Sequence, residues 1–352
     1  MKKAVFLAIL FLGILGSKPL YPCAQVLARL HYNLFDHSQP RLEELKRIER
    51  LQTELKSEDE ESVISAIEEL GRSKTEAAAR ALVSALKDPR YGVQMAALQT
   101  LQDADARAVP FVAELMSTSE ADLQILAAQV LGELGSDAIP HLANNLTSTN
   151  EELVRISVKS LGRIGGRAAL NQLEMMLDHS SWRVVNQVFD SLREMDFSAQ
   201  SSIQKGLYHE RSSIRALAAE TLGLRGDWLA IEVLDRKLND KDLFVRKRVI
   251  EAIGNIGDLK GLSSLFDVLK SSGVEEKTVA AGAIERIANH VVVSPDSGQK
   301  LWRLTKAFHS LRDASKSSDF KLAQAAKSAR QLIQSKLIKL HPLEHWGAID
   351  EM

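Results

Sequence analysis

A short pattern of apolar residues and glycine recurs along the chain at nearly constant spacing. Each copy begins with Leu or Ile, and in the clearest copies Gly follows and a second Gly ends the phrase. The four clearest copies are Leu131–Gly135, Leu161–Gly165, Leu222–Gly226 and Ile253–Gly257. With weaker copies included, the first residues stand at positions 70, 101, 131, 161, 192, 222 and 253, so the spacing is 30 or 31 residues throughout. A fixed period of this length indicates repeated supersecondary units.

Each unit has the apolar spacing of two helices. An apolar residue stands eight positions before most phrases, and small residues such as Ala218 and Ala219 fill the turns between, so one helical stripe faces inward. The first Gly favours close helix packing. The second favours a left-handed helix end, a position in which Asp105 and Asp196 stand in for Gly. A second helix then follows, with apolar residues at helical spacing and Pro110 or Pro140 near its start. A degenerate eighth unit is predicted around Ile287.

These residues resemble the HEAT-repeat superfamily, in particular its short repeats, which also occur in phycobilisome lyases. The family phrase is best preserved at Ile214–Gly223 and Val245–Gly254, and the resemblance extends over about residues 57–290. It implies an all-α fold, a right-handed α-solenoid of seven to eight helix hairpins in which neighbouring units bury one another's apolar faces. It also implies that the second helices line the concave side.

Flanking segments complete the predicted organisation. Residues 24–56 are predicted as an N-terminal helical cap, residues 57–290 as the repeat array, residues 291–340 as a basic helical cap and residues 341–352 as a flexible tail. Such caps are expected because the terminal repeats of a stack must be shielded from water.

The N-terminus has the three parts of a secretory signal peptide. Two lysines precede an apolar run, and Gly16 and Ser17 follow it. The run is shorter than the roughly 20 residues that span a bilayer. Residues 1–17 therefore predict export to the periplasm, cell envelope or exterior, with cleavage between about residues 17 and 23. Cys23 could accept a lipid, but Tyr21 and Pro22 disfavour the lipoprotein pattern, so a free thiol is the favoured interpretation.

Composition and the absence of known motifs exclude several classes of function. The 45 basic and 46 acidic residues leave a net charge of -1, which argues against a dedicated nucleic-acid binder. A single Cys excludes a disulfide framework and a Cys-based zinc site. No phosphate-binding loop, dinucleotide fingerprint or nucleophile elbow is present. We therefore predict no catalytic residue, no metal site and no cofactor.

Enzymes with HEAT-like repeats are the weaker alternative. Deoxyhypusine hydroxylase binds iron through several His-Glu pairs inside its first helices, whereas His209 and Glu210 form a single pair in an inter-repeat turn. A lyase role does not suit an exported chain, which would meet no phycobiliprotein. His341, Glu344 and His345 have side chains that can bind metals. They lie beside Pro342 in the predicted tail, so a solvated chain end is the favoured interpretation.

The favoured function is protein binding or scaffolding by the concave face. Polar residues of the second helices that the apolar stripe does not need are the predicted contacts: His141, Asn145, Gln172, Gln204, Glu232 and Arg236. The alternative is an adaptor for a membrane surface or an acidic partner, which would use basic residues of the C-terminal cap: Lys327, Arg330, Lys336 and Lys339.

Two further features have two interpretations each. Arg215 and Arg246 predict a ladder of ion pairs between repeats, with an anion groove as the alternative. Trp182 and Trp228 predict packing between repeats, with an exposed interface anchor as the alternative.

Overall fold

The computed structural model describes residues 38–292 and 298–340. These residues form α-helices joined by short turns, several of them 3₁₀, and contain no strand, which confirms the all-α prediction. The signal sequence, Cys23 and the tail from residue 341 lie outside the described residues. The chain divides into two units, Met1–Leu115 and Met116–Met352.

The first unit contains one leading helix and two helix hairpins. Its helices are α1 (Ser38–Glu54), α2 (Glu60–Gly71), α3 (Glu76–Ala85), α4 (Tyr91–Gln102) and α5 (Val109–Glu114). In α1, Ile48 and Leu51 are buried, as the apolar stripe predicts. Leu42 and Leu45 of the same stripe are exposed, because no described element covers that end of α1.

The second unit contains five hairpins followed by a helical cap. The hairpins pair α6 (Ala121–Leu131) with α7 (Ile139–Asn144), α8 (Glu151–Ile164) with α9 (Gly166–Met175), α10 (Trp182–Glu194) with α11 (Gln200–Gly206), α12 (Ser212–Arg225) with α13 (Ile231–Lys237), and α14 (Leu243–Ile256) with α15 (Leu262–Ser271). The remaining helices are α16 (Val274–His290), α17 (Gly298–Ser310), α18 (Arg312–Ser315) and α19 (Phe320–Leu340). The long helix α19 packs on α16 and α17.

The first residue of every repeated phrase is fully buried. The eight residues at 0% exposure are Leu70, Leu101, Leu131, Leu161, Leu192, Leu222, Ile253 and Ile287. The apolar residue eight positions earlier is also buried in the regular repeats, but Val279 is only half-buried and Ala280 takes its place.

The first Gly of the phrase allows successive first helices to approach closely. A Cβ on Gly132 would lie 2.7 Å from the Ser160 side chain, and a Cβ on Gly223 would lie 2.6 Å from the Ala252 Cα. The Ser160 hydroxyl uses this proximity and donates to the Ala128 carbonyl at 2.7 Å. The close packing predicted at the first Gly is confirmed, and small residues of the next first helix face these glycines.

The turn after the phrase is built in two ways. Gly135, Gly165, Gly226 and Gly257 all have φ between 67° and 89°. The predicted left-handed helix end is confirmed at Gly226 and Gly257, where ψ is 14° and 7°. It is wrong at Gly135 and Gly165, where ψ is -163° and -162°, an extended conformation with positive φ that glycine alone adopts readily. The prediction for the two aspartates is wrong. Asp196, for example, has an extended backbone (φ -62°, ψ -173°), and its carboxylate accepts from the Ser198 N–H to cap the 3₁₀ turn.

At the Asp196 turn an arginine of the next repeat satisfies the carbonyl groups. Arg225 Nη1 donates to the carbonyls of Leu192, Arg193 and Met195, each at 2.9 Å, and Nη2 donates to the Asp196 carbonyl at 3.0 Å. Leu192 and Arg193 lie in the last turn of α10, where carbonyl groups have no intrahelical partner, and Met195 and Asp196 follow in the turn. In this turn, which has no glycine, the Arg225 side chain of the next repeat therefore provides hydrogen-bond donors for the carbonyl groups.

Candidate partner-binding surface

The second helices of the second unit each present one buried and two exposed positions in the same register. The buried residues are Leu142, Leu173, Ile203, Leu234 and Leu265, all at 0% exposure. Two residues before and two residues after each of them, the side chain is exposed. These paired positions are Pro140 and Asn144, Asn171 and Met175, Ser201 and Lys205, Glu232 and Arg236, and Ser263 and Asp267. We call this set the second-helix row.

The row is chemically mixed. Glu232 and Arg236 form an ion pair at 2.5 Å while both side chains remain mostly in solvent. Lys205 pairs with Glu174 of the preceding hairpin at 2.7 Å. Met175 is 63% exposed and gives the row an apolar contact. Such a row offers contacts spread along several helices and not a single convergent pocket.

Of the six predicted contact residues, only Glu232 and Arg236 belong to the second-helix row. His141, Gln172 and Gln204 are half-buried at positions adjacent to the buried residue of their helices. When the second helices are aligned on their buried residues, the exposed positions fall two residues before and after, a register that polar residues beside the apolar stripe do not reveal.

Asn145 is buried, so its prediction as a surface contact is wrong. It begins the 3₁₀ turn after α7, and its Nδ2 donates to the Ser157 hydroxyl of α8 at 3.2 Å. Buried amide groups need such a partner. Its side chain therefore stabilises the packing of α7 against α8.

The predicted basic surface of the cap is partly used inside the fold. Arg330 lies over the Phe308 ring at 4.2 Å, and its Nη1 donates to Ser315 Oγ. Lys336 Nζ donates to the carbonyls of Asn289 and Val291 at 3.0 and 2.9 Å, at the end of α16. These two residues are engaged in holding the cap, which corrects their prediction as a free contact surface. Lys327 is exposed, and the Lys339 side chain lies outside those described.

Arg215 and Arg246 form the predicted ladder. Arg215 makes two hydrogen bonds of 2.8 Å to the Asp240 carboxylate, and both side chains are buried. Arg246 Nε donates to Glu276 at 2.7 Å, and its Nη1 donates to the Asp240 carbonyl. Arg215 is buried and Arg246 is largely buried, and both donate to a carboxylate and to backbone carbonyl groups, which favours the ion-pair ladder over an anion groove.

Burial and hydrogen bonding have opposite effects on Asp240. Burial raises the pKa of its carboxyl group, but the hydrogen bonds from Arg215 and the Asp242 N–H outweigh burial, so the pKa is lowered overall. The pKa of Arg215 is raised, chiefly by its hydrogen bonds to Asp240. The pair is therefore ionised at neutral pH.

The remaining candidates lie apart from one another. His209 is in an inter-repeat turn, as predicted, and its ring contacts Asp178 at 2.8 Å. Trp182 and Trp228 are about half exposed, which favours the interface interpretation over packing between repeats.

Within the described ranges, no group of three His, Cys, Asp or Glu side chains has a metal-binding arrangement. No helix in these ranges is long and apolar enough to cross a membrane.

Solved structures resemble the chain at low identity. An engineered protein from a structural genomics consortium is 20% identical over 82% of this chain and 99% of its own, with a TM-score of 0.34. Kap95p, in a structure with RanGDP, is 14% identical over 85% of this chain and 46% of its own, with a TM-score of 0.47. Human deoxyhypusine hydroxylase in complex with glycerol is 18% identical over 76% of this chain and 99% of its own, with a TM-score of 0.33. These values carry no information on function.

No curated protein matches the chain. The family model for HEAT repeats, in contrast, matches residues 48–124, 108–193 and 202–285, which is more than half of the sequence. The matched residues contain the buried phrase residues from Leu70 to Ile253 and the hairpins built on them. The chain therefore belongs to the HEAT-repeat family.

Proposed function

We propose that this protein is a non-catalytic binding or scaffolding protein that holds a protein partner against the second-helix row. The proposed face is the one that the family resemblance predicts to be concave. The observation that carries the proposal is the recurrence of two exposed positions in five successive second helices, on either side of a fully buried residue. HEAT-repeat folds are commonly used for protein–protein interaction, which agrees with this role.

The test reverses the charges of the exposed Glu232 and Arg236. The variant Glu232→Lys/Arg236→Glu keeps the net charge and retains an ion pair, so the fold is expected to survive. We expect it to recover less partner than wild type when the mature protein is used to capture proteins from its native envelope fraction. Adding Met175→Ala, at another exposed position of the row, is expected to weaken recovery further by a partial, roughly additive amount.

The matched control is Arg183→Glu/Glu194→Lys. Arg183 and Glu194 are exposed residues of the first helix α10, so this variant makes the same two reversals outside the row. Recovery equal to wild type is expected for the control. Equal recovery by both variants would place the contact surface elsewhere.

We propose in addition that the protein is exported. The support is the order of charged, apolar and small residues within residues 1–17. The periplasm, cell envelope or exterior would then be where the partner is met.

The basic C-terminal cap remains the alternative contact surface, but other residues of the cap now test it. Neutralising Arg330 or Lys336 would disturb the cap itself, because both donate to groups within the fold. Lys321 and Lys327 of α19 are exposed and form the cleaner test. Loss of recovery in Lys321→Glu/Lys327→Glu alone would transfer the function to the cap and favour an acidic partner or a membrane surface.

A further inference from the structure

A cleft in the second unit is lined by basic side chains that form no ion pair with the residues the structure describes. It has a volume of about 480 Å³ and lies where the turn between α14 and α15 meets the end of α16 and the start of α17. Lys260 comes from the turn, His290 from the last turn of α16, and Lys300 and Arg303 from α17. We call this the cationic cleft.

The carboxylate that lines the cleft is already engaged in a hydrogen bond. Asp258 also lines the cleft, but its Oδ1 accepts from the Lys260 backbone N–H at 2.8 Å and caps the 3₁₀ turn. Lys260, Lys300 and Arg303 form no ion pair with any residue in the described ranges. Lys300 Nζ has only a long hydrogen bond, 3.3 Å, to the Val292 carbonyl. Among the described residues that line the cleft, three positive charges against one carboxylate leave an excess inside a concave surface, where the field is focused.

The aromatic ring of Trp228 positions one of these cations. Lys260 Nζ lies 3.4 Å from the ring centroid, and the ring itself is 49% exposed. This contact restricts a flexible lysine before any ligand arrives, which reduces the entropy lost on binding. Leu229, the next residue of the same turn, is 47% exposed and is a second large apolar side chain available there.

Other basic residues of the cap lack these properties. Arg330 and Lys336 are engaged by groups of the fold, and Lys321 and Lys327 are exposed on α19 outside the cleft. The cleft therefore differs from the general basic character of the cap, because its cations line one concavity in which Asp258 is the only carboxylate among the described lining residues.

We infer that the cationic cleft binds an acidic segment of a protein partner, with carboxylates against Lys300 and Arg303 and an apolar side chain against Trp228 and Leu229. The inference rests on the proposed role in protein binding, but it names a second surface and the chemistry of the segment that occupies it. Planar carboxylates suit the guanidinium group of Arg303, which can donate two parallel hydrogen bonds.

The probe is a fluorescein-labelled peptide, Glu-Glu-Leu-Glu-Glu-Leu-Glu-Glu, titrated with the full protein and followed by fluorescence anisotropy at about 50 mM salt, where ionic attraction is little screened. The comparison peptide carries Gln at each Glu position. The cleft variant is Lys300→Glu/Arg303→Glu, and the matched control is Lys321→Glu/Lys327→Glu, which changes the net charge by the same amount. Circular dichroism of each variant establishes that it is folded.

We expect the wild type and the control variant to bind the acidic peptide equally within about twofold. The cleft variant, and the wild type with the Gln peptide, are expected to bind about tenfold more weakly, since each loses the charge complementarity. Trp228→Ala is expected to weaken binding less than the cleft variant does.

Three outcomes would overturn the inference. The first is no binding of the acidic peptide by the wild type, and the second is equal loss in the cleft and control variants, which would reduce the effect to net charge. The third is binding of phosphatidylserine vesicles through Lys300 and Arg303 without peptide binding, which would assign the cleft to a membrane surface. None of these depends on the capture experiment with Glu232 and Arg236, so failure of one surface leaves the other testable.

Discussion

At the scale of single residues, Leu161 shows how a phrase residue contributes to stability. It is fully buried in α8, which packs on α6 and α10. Leu161→Ala removes buried methyl groups and leaves a cavity, so the free energy of unfolding is expected to fall by about 2–5 kcal/mol. Urea unfolding followed by circular dichroism measures it. Leu224→Ala, at a residue 54% exposed, is the control and is expected to change little. An unchanged midpoint for Leu161→Ala would contradict the register.

Gln200 is the residue at which a substitution is expected to stabilise the protein. It begins α11 and is buried, yet neither Nε2 nor Oε1 has a hydrogen-bond partner. The corresponding first positions of four other second helices hold Val109, Ile139, Ile231 and Leu262, all buried aliphatic residues. Burial of an unpaired amide is unfavourable by about 1–3 kcal/mol.

Gln200→Leu should therefore raise the midpoint of thermal unfolding, since Leu has a similar volume and no polar atom to desolvate. Gln204→Leu, on the half-buried side of the same helix, is the control for a change in helix propensity and is expected to give no such gain. A lower midpoint for Gln200→Leu would mean that the amide groups are satisfied, for example by bound water.

At the scale of elements, the Arg215–Asp240 pair connects α12 to the turn that follows α13. Its two side chains are nearly as buried as the apolar core. Arg215→Ala leaves the Asp240 carboxylate buried without its cation, so we expect a loss of about 3–5 kcal/mol at neutral pH. Glu232→Ala, which breaks a solvent-exposed ion pair, is the comparison and is expected to have a much smaller effect.

The same pair predicts a dependence on pH. Because the folded pKa of Asp240 is lowered, its contribution to stability is present above the unfolded value of about 3.9 and is lost as the pH falls through the folded pKa. The stability difference between wild type and Asp240→Asn should therefore be largest near neutral pH and shrink under acid conditions. Urea titrations at several pH values measure this difference. A constant difference down to pH values well below 3.9 would contradict the assigned pair.

The first helices could be predicted from the sequence more fully than the second helices. A phrase repeated every 30 or 31 residues identifies the buried residue, and the glycine that follows marks the close approach between first helices. The second helices are as short as six residues and continue into 3₁₀ turns, so a pattern of polar residues does not say which side meets water. Asn145 shows the difficulty, because it falls in such a turn and is buried against Ser157.

Charge was equally hard to interpret from the sequence. Lys336 reaches the carbonyls of Asn289 and Val291, which are more than forty positions earlier in the chain. No local pattern reveals such a contact. The cationic cleft was missed for the same reason, since Lys260 and Arg303 come from separate elements that only the fold places together.

At the scale of the whole molecule, residues 1–17 give a prediction on processing. If they are a signal peptide, the mature chain begins between about residues 18 and 24, because the peptidase cleaves after the small-residue exit of the apolar run. N-terminal sequencing of protein purified from its native source measures the first residue. Replacing Leu7 and Leu12 with Lys is the control that should block processing. A cytosolic chain beginning at Met1 would contradict export.

The contact made by Arg225 affects how the array can change in evolution. Repeat proteins gain and lose whole units by duplication and deletion, and such events are tolerated when each junction is complete with any neighbour. Arg225 belongs to one repeat, but its side chain donates to four carbonyl groups of the preceding repeat. A recombination event that separated these two repeats would leave the turn at Asp196 with neither a glycine nor the arginine that donates to its carbonyl groups. The hairpins α10–α11 and α12–α13 should therefore be inherited, and transplanted by an engineer, as a single two-repeat module.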